Sequence, residues 1–448
     1  MTYLILVWLF LAIVIVNRPS MGVLALALAA AVPCAVVYDN EVVRLWLYYA
    51  LALVVFAVSI NLFVPKSGRQ HSWLIEHILP VFYFALLIVF GAFVLPVIFD
   101  GLQVFEARQG MDFNDQSLLF SLRLTVSNVA QSIFLLINVG IYCFVLWRGD
   151  VDKKEYYLAI LVFLYAVSFL FIWQFLAVRF GVPFPEYQIR NGTNESVYRT
   201  EVLQYMGRLN AGFAEPSVLG LAGGVMFGCG LGFLRMRHTC AHGIVFLISA
   251  FMILRYSGSS TAFVSIGAAA AGFVLLCVLR REYFLAGIAT SIFACGALSV
   301  FMWSSGIREA VGLYVFDKQD TSSFENRFYS VVYSFELWVK TFGLGVGLGS
   351  NRPSSLFTLL ISCLGFLSIP CVYFLVIYPL RRVHCYSLMT CAYMCGYMGL
   401  LAGVAVSVPD LSNPVFTLFA SIALGSAILD KKRPKIRMPS CVQVRIPI

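Results

Sequence analysis

Charge is scarce in this chain. Of its 448 residues only 12% are charged, while 60% are hydrophobic and 15% aromatic, a balance at which a soluble domain would aggregate. No Asp, Glu, Lys, Arg or His lies inside any of thirteen apolar runs. Ion-coupled transporters and pumps use ionisable groups within the membrane as relays, so this absence argues against secondary transport. A Walker-type lysine loop and an Asp-rich pair for a nucleotide-bound metal are also missing. The twelve cysteines avoid the three long loops between runs, which excludes an extracellular disulfide scaffold. Two segments, "HTCAH" (238–242) and "HCYSLMTCAYMC" (384–395), hold potential ligands without the C-x-x-C pairs of structural zinc, so no metal or other cofactor is expected.

What is abundant is apolar length. The runs cover residues 3–16, 21–38, 45–64, 78–99, 124–147, 156–178, 216–234, 243–254, 259–279, 283–303, 353–380, 385–408 and 412–429. A bilayer core of roughly 30 Å needs about 20 apolar residues per helix. The runs are continuous, without the alternation of a lumen-lining strand, so the expected fold is an all-α polytopic membrane protein of 12–13 transmembrane helices. The first run has neither a basic start nor a small-residue cleavage site and reads as a retained helix. The expected organisation is N-terminal helices over 1–178, a loop over 179–215, central helices over 216–303, and a second loop over 304–352 that contains an amphipathic helix. C-terminal helices over 353–429 and a basic tail over 430–448 complete it.

Lys and Arg cluster in alternate short turns: Arg18, Lys66 with Arg69, Arg148 with Lys153 and Lys154, Arg235 with Arg237, Arg280 with Arg281, and Arg381 with Arg382. These turns and the tail are expected to be cytoplasmic. The loops over 100–117, 179–215 and 304–352 then face outward, and thirteen spans put the N-terminus outside. The net charge of +9 is spread over the turns as a topology signal, which disfavours a nucleic-acid partner.

The chemistry is therefore expected at the outer edge. In "GRLNAGFAEPSVLGLAGG" (207–224), Pro216 suits the first turn of a helix, with Glu215 at its mouth and Ser217 inside. An outward helix N-terminus favours an anion, and Gly212 lets the preceding backbone fold close enough to bring Arg208 to the same lip. Glu215 is either a reactive carboxylate or the helix-start partner of Arg208. "LRYSGSSTAF" (254–263) forms a second outward turn with Arg255 and Ser257. In "SSFENRFYSVVYSFELWVKTFGLGVGLGSN" (322–351), Phe324, Phe328, Val331, Phe335, Trp338, Val339 and Phe342 recur at helical spacing, giving an interfacial helix with Arg327 flanking its apolar stripe. Gly343, Gly345, Gly347 and Gly349 follow a helix instead of a strand, so they read as a flexible re-entry loop, not a dinucleotide fingerprint.

Taken in order, Arg208, Gly212 and "EPS", then "SGSSTA", then "ENRFYSVVYSFELWVKTFGLGVGLGSN" resemble the O-antigen ligase and polymerase superfamily of bacterial inner-membrane proteins, above all Wzy-type polymerases. The resemblance covers about residues 199–380. It implies a GT-C-like glycosyltransferase that joins polyprenyl-diphosphate-linked oligosaccharide repeat units at the periplasmic face without nucleotide sugar or metal. The bilayer, a chain-length regulator and a flippase are its implied partners. Carried onto this chain, Arg208 and Arg327 grip and stabilise the diphosphate leaving group, and Glu215 is either the base for the acceptor hydroxyl or the group that orients Arg208. The matching positions Gly212, Ser217, Arg255, Ser257 and Glu325 join Arg208 and Arg327 in substrate binding.

This chain departs from the pattern where relatives carry an arginine within the Ser-rich turn; Arg255 is the only candidate to replace it. The ligases are expected to use a histidine in the last long outer loop, and residues 304–352 contain none, which favours a polymerase over the ligase alternative. A lipid-linked oligosaccharide flippase is the alternative from a different class. The sequons at Asn191 and Asn194 have meaning only in a eukaryotic secretory setting.

Overall fold

The computed structural model describes residues 2–39, 44–60, 70–105, 119–189, 208–303, 322–381, 383–407 and 413–432. Outside these lie Arg190, Arg199, Arg308 and Lys318 of the outer loops, both sequons, and the tail beyond Lys432.

Helices dominate because uninterrupted apolar sequence in lipid must satisfy its backbone internally. In chain order they are α1 (Thr2–Asn17), α2 (Met21–Ala31), α3 (Leu47–Ile60), α4 (Gln70–Ile98), α5 (Val126–Val151), α6 (Lys154–Phe180) and the short α7 (Glu186–Ile189). There follow α8 (Pro216–Leu234), α9 (Cys240–Ser257), α10 (Ser260–Leu279), α11 (Tyr283–Trp303) and α12 (Ser322–Lys340). The interrupted α13 (Leu356–Leu380), α14 (Leu388–Ser407) and α15 (Pro414–Lys432) close the fold. Among the described residues eight helices are long and apolar enough to cross a membrane, and five shorter apolar stretches accompany them. The chain is a multi-pass α-helical membrane protein.

Each of the thirteen apolar runs corresponds to one of these helices, with two corrections to the runs and one to a loop. The run over 21–38 is helical only to Ala31; Val36–Asp39 (β1) then pairs antiparallel with Arg44–Trp46 (β2), since the β-branched Val36 and Val37 follow a break at Pro33. The loop that begins at Asp100 contains hairpin stems, Gln103–Phe105 (β3) and Leu119–Ser121 (β4). The run over 353–380 is a helix broken by π and 3-10 turns. Gly365, at φ +55°, sits at the break, and Pro370 removes a further backbone donor.

At the centre is α8, the most enclosed of the eight spans, packed against α9, α10 and α14. Its glycines make this possible, as small residues do wherever lipid offers no hydrophobic drive for association. A β-carbon on Gly224 would stand 2.4 Å from that of Ser265, and one on Gly228 would stand 2.4 Å from the backbone nitrogen of Gly396.

The charges that close the bundle gather at one end. Arg148 at the end of α5 pairs with Glu155 at the start of α6, Lys153 reaches Asp430 at 2.6 Å, and Glu282 accepts from Arg235 (2.8 Å) and Arg280 (3.0 Å). This is the end that the Lys and Arg asymmetry assigns to the cytoplasm. The opposite end gathers the C-termini of α2, α6 and α9 and the N-terminus of α8.

Candidate functional site

The end of the bundle opposite the ion pairs is organised by one buried amide. Gln174, fully buried in α6, accepts from the backbone nitrogens of Asn210 (3.0 Å) and Ala211 (2.7 Å) and donates to Asn210 Oδ1 (3.0 Å). These three bonds pin the segment before α8 onto α6. The tight turn that follows has its positive φ at Ala211, +50°, and not at Gly212. Gly212 is needed for proximity: a β-carbon there would lie 2.5 Å from the carbonyl oxygen of Ala31 at the end of α2. It is buried, and its part at the site is to hold the lip down.

So pinned, the chain runs along the end of α9. The Leu209 nitrogen donates to the Tyr256 carbonyl at 2.9 Å and Arg208 Nε donates to the Ser257 carbonyl at 3.1 Å. These are carbonyls that a helix leaves unpaired at its C-terminus, where the chain turns through Gly258 in the left-handed region. A guanidinium at the negative end of a helix dipole is favoured by about 0.3–1 kcal/mol. The bond to Ser257 uses one of five guanidinium N–H groups. Arg208 is half-buried.

The start of α8 agrees with the reading of its proline. Pro216 occupies the first turn, and Glu215 is the extended residue just before it, at φ −134°. The Glu215 side chain does not cap the helix; its Oε2 accepts a 2.9 Å hydrogen bond from the Ser217 hydroxyl. Glu215 is exposed and Ser217 is buried, so the carboxylate stands at the surface on a buried support.

Arg327 arrives from α12. The amphipathic helix forms as its periodicity predicts, but its two faces have the reverse of a soluble helix's roles. Phe328, Val331, Phe335, Val339 and, just beyond the helix, Phe342 are exposed, while Ser330, Ser334, Leu337 and Thr341 are buried against the protein. An apolar stripe turned away from the protein suits an interfacial helix facing lipid. At 100° per residue Arg327 falls on the same face as Ser330 and Ser334. It therefore stands at the edge of the protein-facing stripe, with Val331 of the apolar stripe about 40° away on its other side. Arg327 is half-buried; burial pulls its guanidinium below the ordinary arginine range, and the Glu215 carboxylate pushes it back up. The Glu215 charge at the start of α8 is thus felt at Arg327 on α12. Ser330 Oγ accepts from the Ser354 nitrogen (2.9 Å), and the Tyr333 hydroxyl donates to the Gln103 carbonyl (2.5 Å), fixing the helix.

Following α12, the glycine loop is an ordered buried element, contrary to the expectation of flexibility. Gly343, Gly345, Gly347 and Gly349 all have φ between +79° and +87°. The Val346 and Gly347 nitrogens donate to the carbonyls of Ser362 (2.9 Å) and Cys363 (3.0 Å) in the broken part of α13. Asn128 of α5 donates to the Leu348 carbonyl at 2.9 Å. The alternating glycines let backbone lie on backbone where any side chain would intrude.

The remaining expected residues are peripheral. Arg255 is exposed and lies over the Tyr256 ring at 5.7 Å. Glu325 is exposed in the first turn of α12, about 200° around the helix from Arg327. Ser257 is fully buried and contributes its carbonyl to Arg208; its hydroxyl has no partner among the described residues. Among the described residues no three His, Cys, Asp or Glu side chains gather as a metal site would require.

Sequence reasoning missed Gln174 and Asn210. A signal existed for the first, because Gln174 is the only amide in the run over 156–178. Arg208 is held at the C-terminal end of α9 and Glu215 acts on Arg327; arginine forks of this kind suit the oxygens of an anion. No family model, no curated protein and no solved structure matches this chain.

Proposed function

We propose that this chain is a glycosyltransferase of the bacterial inner membrane that polymerises polyprenyl-diphosphate-linked oligosaccharide units into a surface polysaccharide at the outer face. What supports the reading is the Glu215 carboxylate at the start of α8, held by the Ser217 hydroxyl, whose charge acts on the Arg327 guanidinium of an interfacial helix, beside a segment from which Arg208 reaches the end of α9. An interfacial helix suits a substrate whose diphosphate lies at the headgroup level while its prenyl tail remains in lipid.

The reaction is a displacement at a sugar carbon. An acceptor hydroxyl oxygen bonds to the anomeric carbon of the donor sugar, and the bond from that carbon to the diphosphate oxygen breaks. The lipid diphosphate leaves with the electron pair, and the acceptor proton passes to Glu215 or to water. Charge grows on the leaving oxygens, where the planar forks of Arg208 and Arg327 stabilise it. In this scheme Glu215 either takes the proton or orients an arginine, and its electrostatic influence on Arg327 supports the second role.

The test is replacement of Arg327 or Arg208 by Ala in stably expressed protein, with surface polysaccharide length read on a gel. Loss of one preorganised donor typically slows such a step by about 10²–10³-fold, so long chains should disappear while single repeat units still reach the outer face. Long chains in both variants would end the proposal. Loss of the single units as well would point to a flippase, and normal chains left unattached to their final acceptor would point to a ligase.

A further inference from the structure

Beside the mouth of α8 lies a cavity of about 440 Å³ at the same outer end of the bundle. Ala214 and Val218, on either side of Glu215 in the chain, form part of its wall. Its size falls within the roughly 300–1,000 Å³ typical of small-molecule sites. None of the residues assigned above to the transfer step lines it.

Its lining has a recognisable chemistry. Trp46, Tyr49 and Phe134 contribute a cluster of rings, with Phe134 4.6 Å from Tyr49 and 6.4 Å from Trp46 between centroids. Among them stand amide side chains. Asn413 uses its Oδ1 to accept from the nitrogens of Val415 (3.0 Å) and Phe416 (3.2 Å), capping α15. Asn351 is buried and lines the cavity; its Nδ2 donates to the Ser362 hydroxyl at 3.1 Å, while its Oδ1 has no partner among the described residues. A buried acceptor without a donor is unfavourable, and a ligand that brings hydroxyl groups relieves it. Aromatic faces attract the polarised C–H groups of a ring while amides bond its hydroxyls. A hydrocarbon chain would leave the amides unused, and Arg352, also in the lining, adds a donor fork that a ring hydroxyl or an acidic sugar's carboxylate can use.

We infer that this cavity is a carbohydrate subsite that seats a sugar unit of the acceptor against Trp46 and Asn351, next to the Glu215 carboxylate. The inference rests on the transfer reading of Glu215 and Arg327, and it adds the group that positions the acceptor. Trp46 and Asn351 are positioning residues in that role.

Binding can be read without transfer. The full chain, purified in detergent, is mixed with lipid-free oligosaccharides released by mild acid from the host's own surface polysaccharide, and saturation transfer to sugar ring protons is followed by NMR. Wild-type protein should transfer saturation; Trp46→Ala and Asn351→Leu should bind at least tenfold more weakly, and Trp46→Phe, which keeps a ring in place, should retain most binding. Absence of transfer to the sugar in wild type, or equal binding in Trp46→Ala and Asn351→Leu, overturns the proposal. If wild type fails to bind while the Arg327 and Arg208 variants lose long chains, the cavity proposal falls and the transfer reading stands. If binding depends on Trp46 and Asn351 while those variants still make long chains, the sugar site stands and the transfer reading falls.

Discussion

Gln174 carries more of the site than its single side chain suggests. Its three hydrogen bonds to Asn210 and Ala211 are all made in a buried setting. Replacement by Leu roughly keeps the volume but leaves two backbone donors and the Asn210 Oδ1 acceptor without these partners, and each such loss costs about 1–3 kcal/mol. Because Arg208 lies at the end of the segment so held, Gln174→Leu is expected to lower thermal stability in detergent and, under the proposed transfer function, to shorten polysaccharide chains. Unchanged melting and unchanged chains would remove Gln174 from this role. The sequence marked the residue as a lone amide in an apolar run, but not its partners, because the bonds cross between separate segments.

At the scale of elements, the glycine loop and α12 act as one support. Gly349 has φ +87°, and a β-carbon there would lie 2.7 Å from the Ser127 carbonyl. Gly349→Ala is therefore expected to destabilise the protein by about 1–3 kcal/mol through a strained backbone and a clash that only a backbone shift relieves. Scanning fluorimetry of the purified protein checks this, and a melting temperature equal to wild type would contradict it. The alternating glycines were legible as a pattern, yet flexibility was the wrong reading of it. Conformational freedom in the unfolded chain was used here to reach one fixed geometry, and the partners that fix it, Ser362, Cys363 and Asn128, belong to other helices. The amphipathic helix was likewise legible as an interfacial one, and its aromatic stripe is turned away from the protein as that reading expects; which residues its polar face meets, Ser354 and Gln103, was not, because they lie in distant segments.

For the whole molecule, the arrangement of charge at the two ends makes a testable statement about orientation. The ion pairs of Arg148 with Glu155, Lys153 with Asp430, and Glu282 with Arg235 and Arg280 mark one end, and Glu215, Arg208 and Arg327 mark the other. In a background whose exposed native thiols have been removed, Glu325→Cys should react with a membrane-impermeant maleimide from outside intact cells. Arg281→Cys should react only after the membrane is opened. The reverse labelling would turn the molecule over and place the Arg327 mouth on the cytoplasmic side.

By itself the sequence determined the class of the molecule, the positions of its apolar helices, the start of α8 at Pro216 and the existence of an amphipathic helix before α13. These follow from hydropathy, backbone chemistry and short periodicities, which act within a few residues of one another. Only the tertiary structure decided that the Glu215 charge acts on Arg327, that Arg208 is tied to the end of α9, that the glycine loop is fixed, and that an aromatic cavity adjoins the mouth. Each of these depends on segments distant in the chain brought together by glycine-mediated helix packing, and no local pattern encodes which surfaces will meet.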